Sequence, residues 1–195
     1  MADPVAVLEF WLTEVGPDRW YAGGADLDAA CRDRFGDLWQ AARDGGLDHW
    51  AKDRAGTLAF VILTDQLSRN MHRGTADAFA TDPLALAAAQ RAVAAGWDLQ
   101  APEPDRQFFY MPFEHAEDPA AQALAVEYLT HRMPSDPDMA LHARAHAQVI
   151  AEFGRFPARN LALGRVSTTA EQRFLAEGGY QAVVRTMTQS HADSA

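Results

Sequence analysis

The chain is poor in cysteine, in positive charge and in long apolar runs. Cys31 is the single cysteine in 195 residues, so no intramolecular disulfide can form, as is usual in a reducing compartment. Apolar neighbours at helical spacing predict that Cys31 packs in a core rather than acting as a nucleophile. With 17 basic and 27 acidic residues the net charge is −10, which argues against a broad surface for nucleic acid or an anionic membrane.

No segment predicts membrane insertion or export. The longest uncharged apolar run, residues 58–63, is far shorter than the roughly 20 residues that a membrane-spanning helix needs. The first residues lack the basic start of a signal peptide, so we expect a cytoplasmic protein. Alanine and leucine are abundant, β-branched residues are sparse and no hairpin turn is recognisable, so helix is favoured over strand.

A repeated Asp-Pro pair marks predicted helix starts. Aspartate at the N-cap accepts hydrogen bonds from the unpaired first-turn amides, and proline at the next position has no amide to leave unpaired. The pairs are Asp3-Pro4, Asp82-Pro83, Asp118-Pro119 and Asp136-Pro137. They predict an all-α fold of about eight helices, with short loops joining antiparallel helix pairs.

Apolar periodicity and the start and stop signals give approximate helix boundaries. The predicted helices cover residues 3–15, 26–43, 48–68, 82–95, 104–115 with an interruption at Pro112, 118–132, 136–153 and a segment from about 168, with one short helix after 179. Thr168 and Glu171 have the spacing of a capping box, and residues 58–63 should be buried. No linker divides the chain, which predicts a single domain over residues 1–195.

The pattern Arg-Asn-x-x-x-Gly occurs twice, at residues 69–74 and 159–164, each time after a long apolar stretch. The repeat suggests two related halves around 60–80 and 150–170. In a structural interpretation, the arginine donates to carbonyl groups at a helix end and the asparagine ends the helix.

In the other interpretation, the two arginines bind a carboxylate or a phosphate, because a guanidinium is the best bidentate partner for such groups. Arg155 would strengthen this patch, and Asp65 lies four residues before Arg69, where it could pair with it or orient it. The predicted ligand-binding residues are Asp65, Arg69, Asn70, Arg155, Arg159 and Asn160.

Proton-transfer residues are predicted beside an apolar wall. Glu114 and His115 directly follow the aromatic segment 108–113, where burial and charge shift pKa values. His142 and His146 share one helical face, as in a zinc site, but no third ligand is recognisable, so we predict no metal and no cofactor. The candidate catalytic residues are Glu114, His115 and His146; alternatively, His146 makes only a buried hydrogen bond.

Three long segments carry a resemblance to a known family. Residues 63–85 (LTDQLSRNMHRGTADAFATDPLA), 108–118 (FFYMPFEHAED) and 146–168 (HAQVIAEFGRFPARNLALGRVST) resemble the bacterial family known as domain of unknown function DUF924. The chain departs from the family pattern at Leu67-Ser68, where Phe-Pro is usual, at Ala116, where serine is usual, and at Ala158, where histidine is usual. The resemblance implies antiparallel helix pairs in a tetratricopeptide-like, right-handed superhelix, and it implies no established activity.

Three hypotheses about function remain open. The first is a pocket lined by arginine and histidine that binds a small anionic ligand, with or without catalysis. The second is a tetratricopeptide-like module that binds a peptide or protein, and the acidic balance would favour a basic partner. The third is that these polar residues only join the helices. The sequence predicts no nucleic-acid or membrane partner, and it leaves enzymatic activity and oligomeric state open.

Overall fold

The computed structural model describes residues 3–192, and no strand occurs among them. The prediction of an all-α fold is therefore confirmed. The chain divides into two compact units, Met1–Pro112 and Phe113–Ala195, and one Arg-Asn pair lies in each. In the described range, no helix is long and apolar enough to cross a membrane.

The first unit is built on a buried central helix. Its helices are α1 (Pro4–Leu8), α2 (Ala25–Arg43), α3 (Arg54–Val61), α4 (Ser68–Met71) and α5 (Asp82–Ala94), and α6 (Met111–Glu114) spans the boundary between the units. A π-helical segment, Glu9–Val15, continues α1, and another, Ile62–Leu67, joins α3 to α4. Short 3-10 segments lie at Asp48–Lys52, Ala76–Phe79, Asp98–Gln100 and Asp105–Phe109. The run 58–63 is buried throughout and Cys31 lies in the core, as predicted.

Two predicted helices of this unit are interrupted. The predicted helix 48–68 breaks at Asp53, which is extended and accepts a hydrogen bond from the Gly56 amide at 2.8 Å, starting α3. Gly56 is required there because an added Cβ would lie 2.2 Å from the Trp50 carbonyl oxygen. The predicted helix 104–115 is a 3-10 segment followed by α6. Pro112 lies in the first turn of α6, where no amide partner is needed, and therefore does not interrupt it.

The four Asp-Pro pairs are not equivalent. Asp3 caps α1 as predicted, through a bond from the Val5 amide at 2.9 Å. Asp118 caps α7 (Pro119–Arg132) by accepting from the amides of Ala120 and Ala121 at 3.3 and 3.2 Å. The prediction is wrong for Asp82, which is the first residue of α5 after an N-cap at Thr81, because its carboxylate binds Arg69. Asp136 occupies the N-cap of α8 (Pro137–Phe153) but makes no capping bond with its side chain.

The second unit consists mainly of four helices. They are α7 (Pro119–Arg132), α8 (Pro137–Phe153), α9 (Thr169–Ala176) and α10 (Gly179–Ala192), with a 3-10 turn at Pro157–Arg159. The predicted capping box of Thr168 and Glu171 is present at the start of α9. Gly154 ends α8 in the left-handed conformation, with φ of 67°. The core between α8, α9 and α10 contains Val149, Ile150, Phe153, Phe156, Phe174 and Val183.

Candidate functional site

In the first unit, the guanidinium group of Arg69 joins α4 to α5. It binds both carboxylate oxygens of Asp82 at 2.7 and 2.9 Å, donates to the Ala78 carbonyl and lies 4.8 Å from the centre of the Phe79 ring. Asp65 lies 3.7 Å away. Burial lowers the pKa of Arg69, but the charges of Asp65 and Asp82 outweigh it, and the net pKa is raised. The guanidinium is thus engaged by carboxylates of the protein itself.

The residues around Arg69 form a buried network. Gln66 donates to Asp65, which is fully buried, at 2.5 Å. Asn70 donates to the Gln66 carbonyl at 3.2 Å and accepts from Arg73 at 3.1 Å. These bonds explain the first Arg-Asn pair through contacts within the fold. Its proposed contact with a ligand stays a prediction.

In the second unit, Arg155 and Asn160 hold a loop against α9. Arg155 donates to both oxygens of Glu171 at 2.6 and 2.9 Å and to the Val166 carbonyl at 3.0 Å. Asn160 is buried and donates to the Ser167 hydroxyl at 3.0 Å. Neither residue lines the cavity described below.

Glu114 and His146 form a close pair. Glu114 Oε1 lies 2.6 Å from His146 Nδ1, and the His142 carbonyl oxygen lies 3.0 Å from the same nitrogen. Because both neighbours are hydrogen-bond acceptors, Nδ1 must carry a proton, and Nε2 is the ring nitrogen that can accept one. The structure thus brings two of the three candidate catalytic residues together.

The surroundings of the buried Glu114 favour its ionised form. Only 3% of the residue is exposed, and Oε2 has no hydrogen-bond partner in the described part of the chain. Burial alone would raise the pKa of Glu114. The charge that His146 carries when it is protonated and its hydrogen bond, with smaller contributions from His115 and His142, outweigh that effect and hold the pKa of Glu114 below its usual range.

Arg159, His115 and Tyr180 surround this pair. Arg159 donates to the His115 carbonyl at 2.9 Å, and its guanidinium lies 4.6 Å from the centre of the Phe156 ring. The His115 ring lies 6.2 Å from the His146 ring, and the Tyr180 ring lies 4.4 Å from it. The Tyr180 hydroxyl contacts His142 Nδ1 at 2.5 Å, and burial followed by the charge of Glu114 raises the pKa of Tyr180.

A partly open cavity of about 160 Å³ lies beside His146. Its lining residues are His146, Val149, Phe156, Pro157, Ala158, Arg159, Phe174 and Tyr180. Two of the predicted site residues, His146 and Arg159, therefore face one space, and Glu114 supports His146 from the protein interior. Among residues 3–192, no group of three or more His, Cys, Asp or Glu side chains is placed to hold a metal ion.

The sequence did not point to two residues that shape this site. Tyr180 lies outside the recognisable motifs, in the last helix, and no pattern connected it with α8. Gln122 is 2% exposed, and its amide nitrogen donates to the carbonyls of Glu114 and Ala116 at 2.6 and 2.7 Å. It thereby fixes the backbone that carries Glu114 and His115. The one signal that the sequence offered for Gln122 was a polar amide among the alanines of α7.

Comparison with known proteins supports the fold more than the chemistry. A solved structure of a protein of unknown function from Agrobacterium tumefaciens is 40% identical and matches with a TM-score of 0.83. The match covers 90% of this chain and 97% of that one. A search of curated proteins found no match. The family model described as "Bacterial protein of unknown function (DUF924)" matches residues 7–179, and the chain therefore belongs to this family.

Proposed function

We propose that the protein binds a small anionic molecule in the cavity beside His146 and exchanges a proton with it. The observation that carries this proposal is the buried Glu114 carboxyl group at 2.6 Å from a histidine that lines a cavity with an arginine. A buried carboxylate is costly to maintain, and a pair of this kind has a direct use in proton transfer.

His146 is the proposed proton acceptor. Glu114 and the His142 carbonyl hold the proton on Nδ1, so Nε2 receives a proton from the ligand or from a water molecule. The imidazolium that forms is stabilised by the Glu114 carboxylate at 2.6 Å. Glu114 orients the ring and offsets its charge without giving up a proton.

Arg159 is the proposed partner of the anionic group. Its bond to the His115 carbonyl and its position over Phe156 fix the plane of the guanidinium beside the cavity. Fewer residues are assigned to ligand binding here than were predicted from the sequence. Asp65, Arg69 and Asn70 are assigned to the fold of the first unit, and Arg155 and Asn160 to the loop before α9.

Nuclear magnetic resonance of the histidine rings tests this proposal. Small anions should shift the ring ¹⁵N signals of His146, and Arg159→Lys should weaken their binding at least tenfold, because lysine loses the planar bidentate contact. The matched controls are Arg173→Lys and His131→Gln, which change exposed side chains of the same unit. Equal effects from Arg159→Lys and Arg173→Lys would contradict the proposal.

The tetratricopeptide-like arrangement and its use in peptide binding form a second proposal. It is favoured by Leu161 and Val166, which are 94% and 87% exposed on a loop that Arg155 and Arg165 hold in place. A groove of about 380 Å³ along α8, α9 and α10 is lined by Glu152, Glu177 and Arg173, and its net negative charge suits a basic peptide. Affinity capture at low and at high salt tests it, and recovery of no basic partner at either would count against it.

A further inference from the structure

From the size and lining of the cavity, we infer that the ligand is a short, apolar monocarboxylate of about six to eight non-hydrogen atoms. This inference rests on the proposed function, because it names the class of anion that the site beside His146 takes.

The cavity volume limits the size of the ligand. At about 160 Å³, the cavity is close to an engineered protein cavity of about 150 Å³ that binds benzene, a molecule of six carbon atoms. A nucleotide or a sugar phosphate is several times larger. Such a molecule could place only one end in the cavity.

The residues that line the cavity favour a ligand with an apolar body. Val149, Phe156, Pro157, Ala158 and Phe174 are apolar and make up five of the eight lining residues. Each methylene group that leaves water for such walls is expected to strengthen binding about fourfold. The gain should stop when the chain becomes longer than the cavity.

The charges favour a monoanion. Arg159 is the one guanidinium among the lining residues, and a guanidinium pairs favourably with a carboxylate. The ionised Glu114 lies directly behind His146 and repels a phosphate dianion more strongly than a carboxylate. The polar end of the ligand is thus placed between Arg159 and His146, and its apolar body lies against the aromatic rings.

A series of carboxylates tests the inference on the full chain. Acetate, butyrate, hexanoate, decanoate, inorganic phosphate and adenosine monophosphate are titrated, and Kd is measured from the His146 ring signals. We expect Kd to fall about fourfold per methylene from acetate to hexanoate and to change little from hexanoate to decanoate. Phosphate and the nucleotide should bind at least tenfold more weakly than hexanoate.

A cavity-filling variant links the series to this site. Ala158 lines the cavity but is exposed, so the Ala158→Leu protein should fold. The substitution should weaken the binding of hexanoate more than the binding of acetate. Ala151→Leu, at an exposed position of α8 outside the cavity lining, is the matched control and should leave the Kd values of hexanoate and acetate unchanged.

The possible results separate the inference from the proposed function. If phosphate or the nucleotide binds in an Arg159-dependent manner and the carboxylates do not, the inference is overturned and the proposed function stands. If no anion binds, or if neither Arg159→Lys nor Ala158→Leu changes the binding, the inference and the proposed function are both overturned.

Discussion

At the scale of single residues, Glu171 shows how a small number of donors fixes a carboxylate. Hydrogen bonds from Arg155, from the Thr168 backbone amide and from Asn160 lower its pKa to about 2, with the Arg155 bond the largest cause. The same carboxylate belongs to the capping box of α9. Glu171 therefore stabilises both the start of a helix and the loop that precedes it.

Stability in acid should depend on Glu171. The pKa of this group is depressed in the folded state from an ordinary value of 4.5, so its contribution is complete above about pH 5 and is lost as the pH falls towards about 2. Glu171→Gln should therefore lower Tm at neutral pH and make the fall of Tm between pH 5 and pH 2 shallower. Thermal unfolding followed by circular dichroism measures both effects.

The exposed Glu177 at the end of α9 provides the matched control. Glu177→Gln should leave the acid dependence of Tm as it is in the unchanged protein. If Glu171→Gln and the unchanged protein lost stability in parallel, the hydrogen bonds of Glu171 would not contribute as the structure indicates.

Gln122 should position the site rather than bind the ligand. Gln122→Met keeps the side-chain length but removes the donor from the carbonyls of Glu114 and Ala116. We expect the free energy of unfolding to fall by about 1–2 kcal/mol, since the lost bonds are buried but the amide oxygen of Gln122 itself lacks a partner among the described residues. Chemical denaturation measures this loss.

A second measurement separates positioning from simple stability. The His146 ring signals of Gln122→Met should shift under conditions in which the protein is fully folded, because the Glu114 carboxylate moves with its backbone. Gln148→Met, at an exposed position of α8, should change neither stability nor these signals. Unchanged ring signals in Gln122→Met would mean that Gln122 serves only the fold.

At the scale of helices, identical Asp-Pro starts should differ in their energetic value. Asp118 accepts from two amides of α7, whereas the Asp136 side chain makes no capping bond to α8. Asp118→Ala should lower the free energy of unfolding by about 1 kcal/mol, which corresponds to a decrease in Tm of about 2–4 °C. Asp136→Ala should lower the free energy of unfolding by no more than a few tenths of that amount. Denaturant titration of the two variants gives the comparison, and equal costs would refute it.

Helix positions were predictable where one local signal decides them. Thr168 with Glu171 placed the start of α9, and Gly154 placed the end of α8, because caps act through the nearest backbone groups. Asp82 was misplaced because Arg69, thirteen residues earlier in the chain, binds its carboxylate. The break at Asp53 was missed because the close approach of Gly56 to Trp50 depends on the folded backbone. Such contacts leave no periodic pattern.

At the scale of the whole chain, the two Arg-Asn copies have different surroundings. Arg69 binds the Asp82 carboxylate and the Ala78 carbonyl, whereas Arg159 donates to the His115 carbonyl and lines the cavity, a difference that one local motif could not reveal. The aromatic segment before Glu114 indicated that this carboxylate is buried, because an apolar run next to a charge is visible in the sequence, but it did not indicate His146 as the partner. That pairing and the contacts of Gln122 and Tyr180 around it required the tertiary structure.

Charge is unevenly divided along the chain. Met1–Pro112 contains 17 acidic and 10 basic residues, and Phe113–Ala195 contains 10 acidic and 7 basic residues together with five of the seven histidines. An anionic ligand is therefore repelled less by the unit that contains the cavity.

Because the whole chain has one thiol, its labelling rate can report opening of the fold. Cys31 is fully buried, and burial followed by the charge of Asp28 raises its pKa to about 12, so both access and ionisation oppose reaction. A disulfide reagent should label the native protein at least about 10³-fold more slowly than the protein in denaturant, since labelling requires opening. An added cysteine at the exposed Asp33 of the same helix, in Asp33→Cys, should react rapidly in the native protein. Fast labelling of native Cys31 would show that α2 opens easily and would contradict the packing of the first unit.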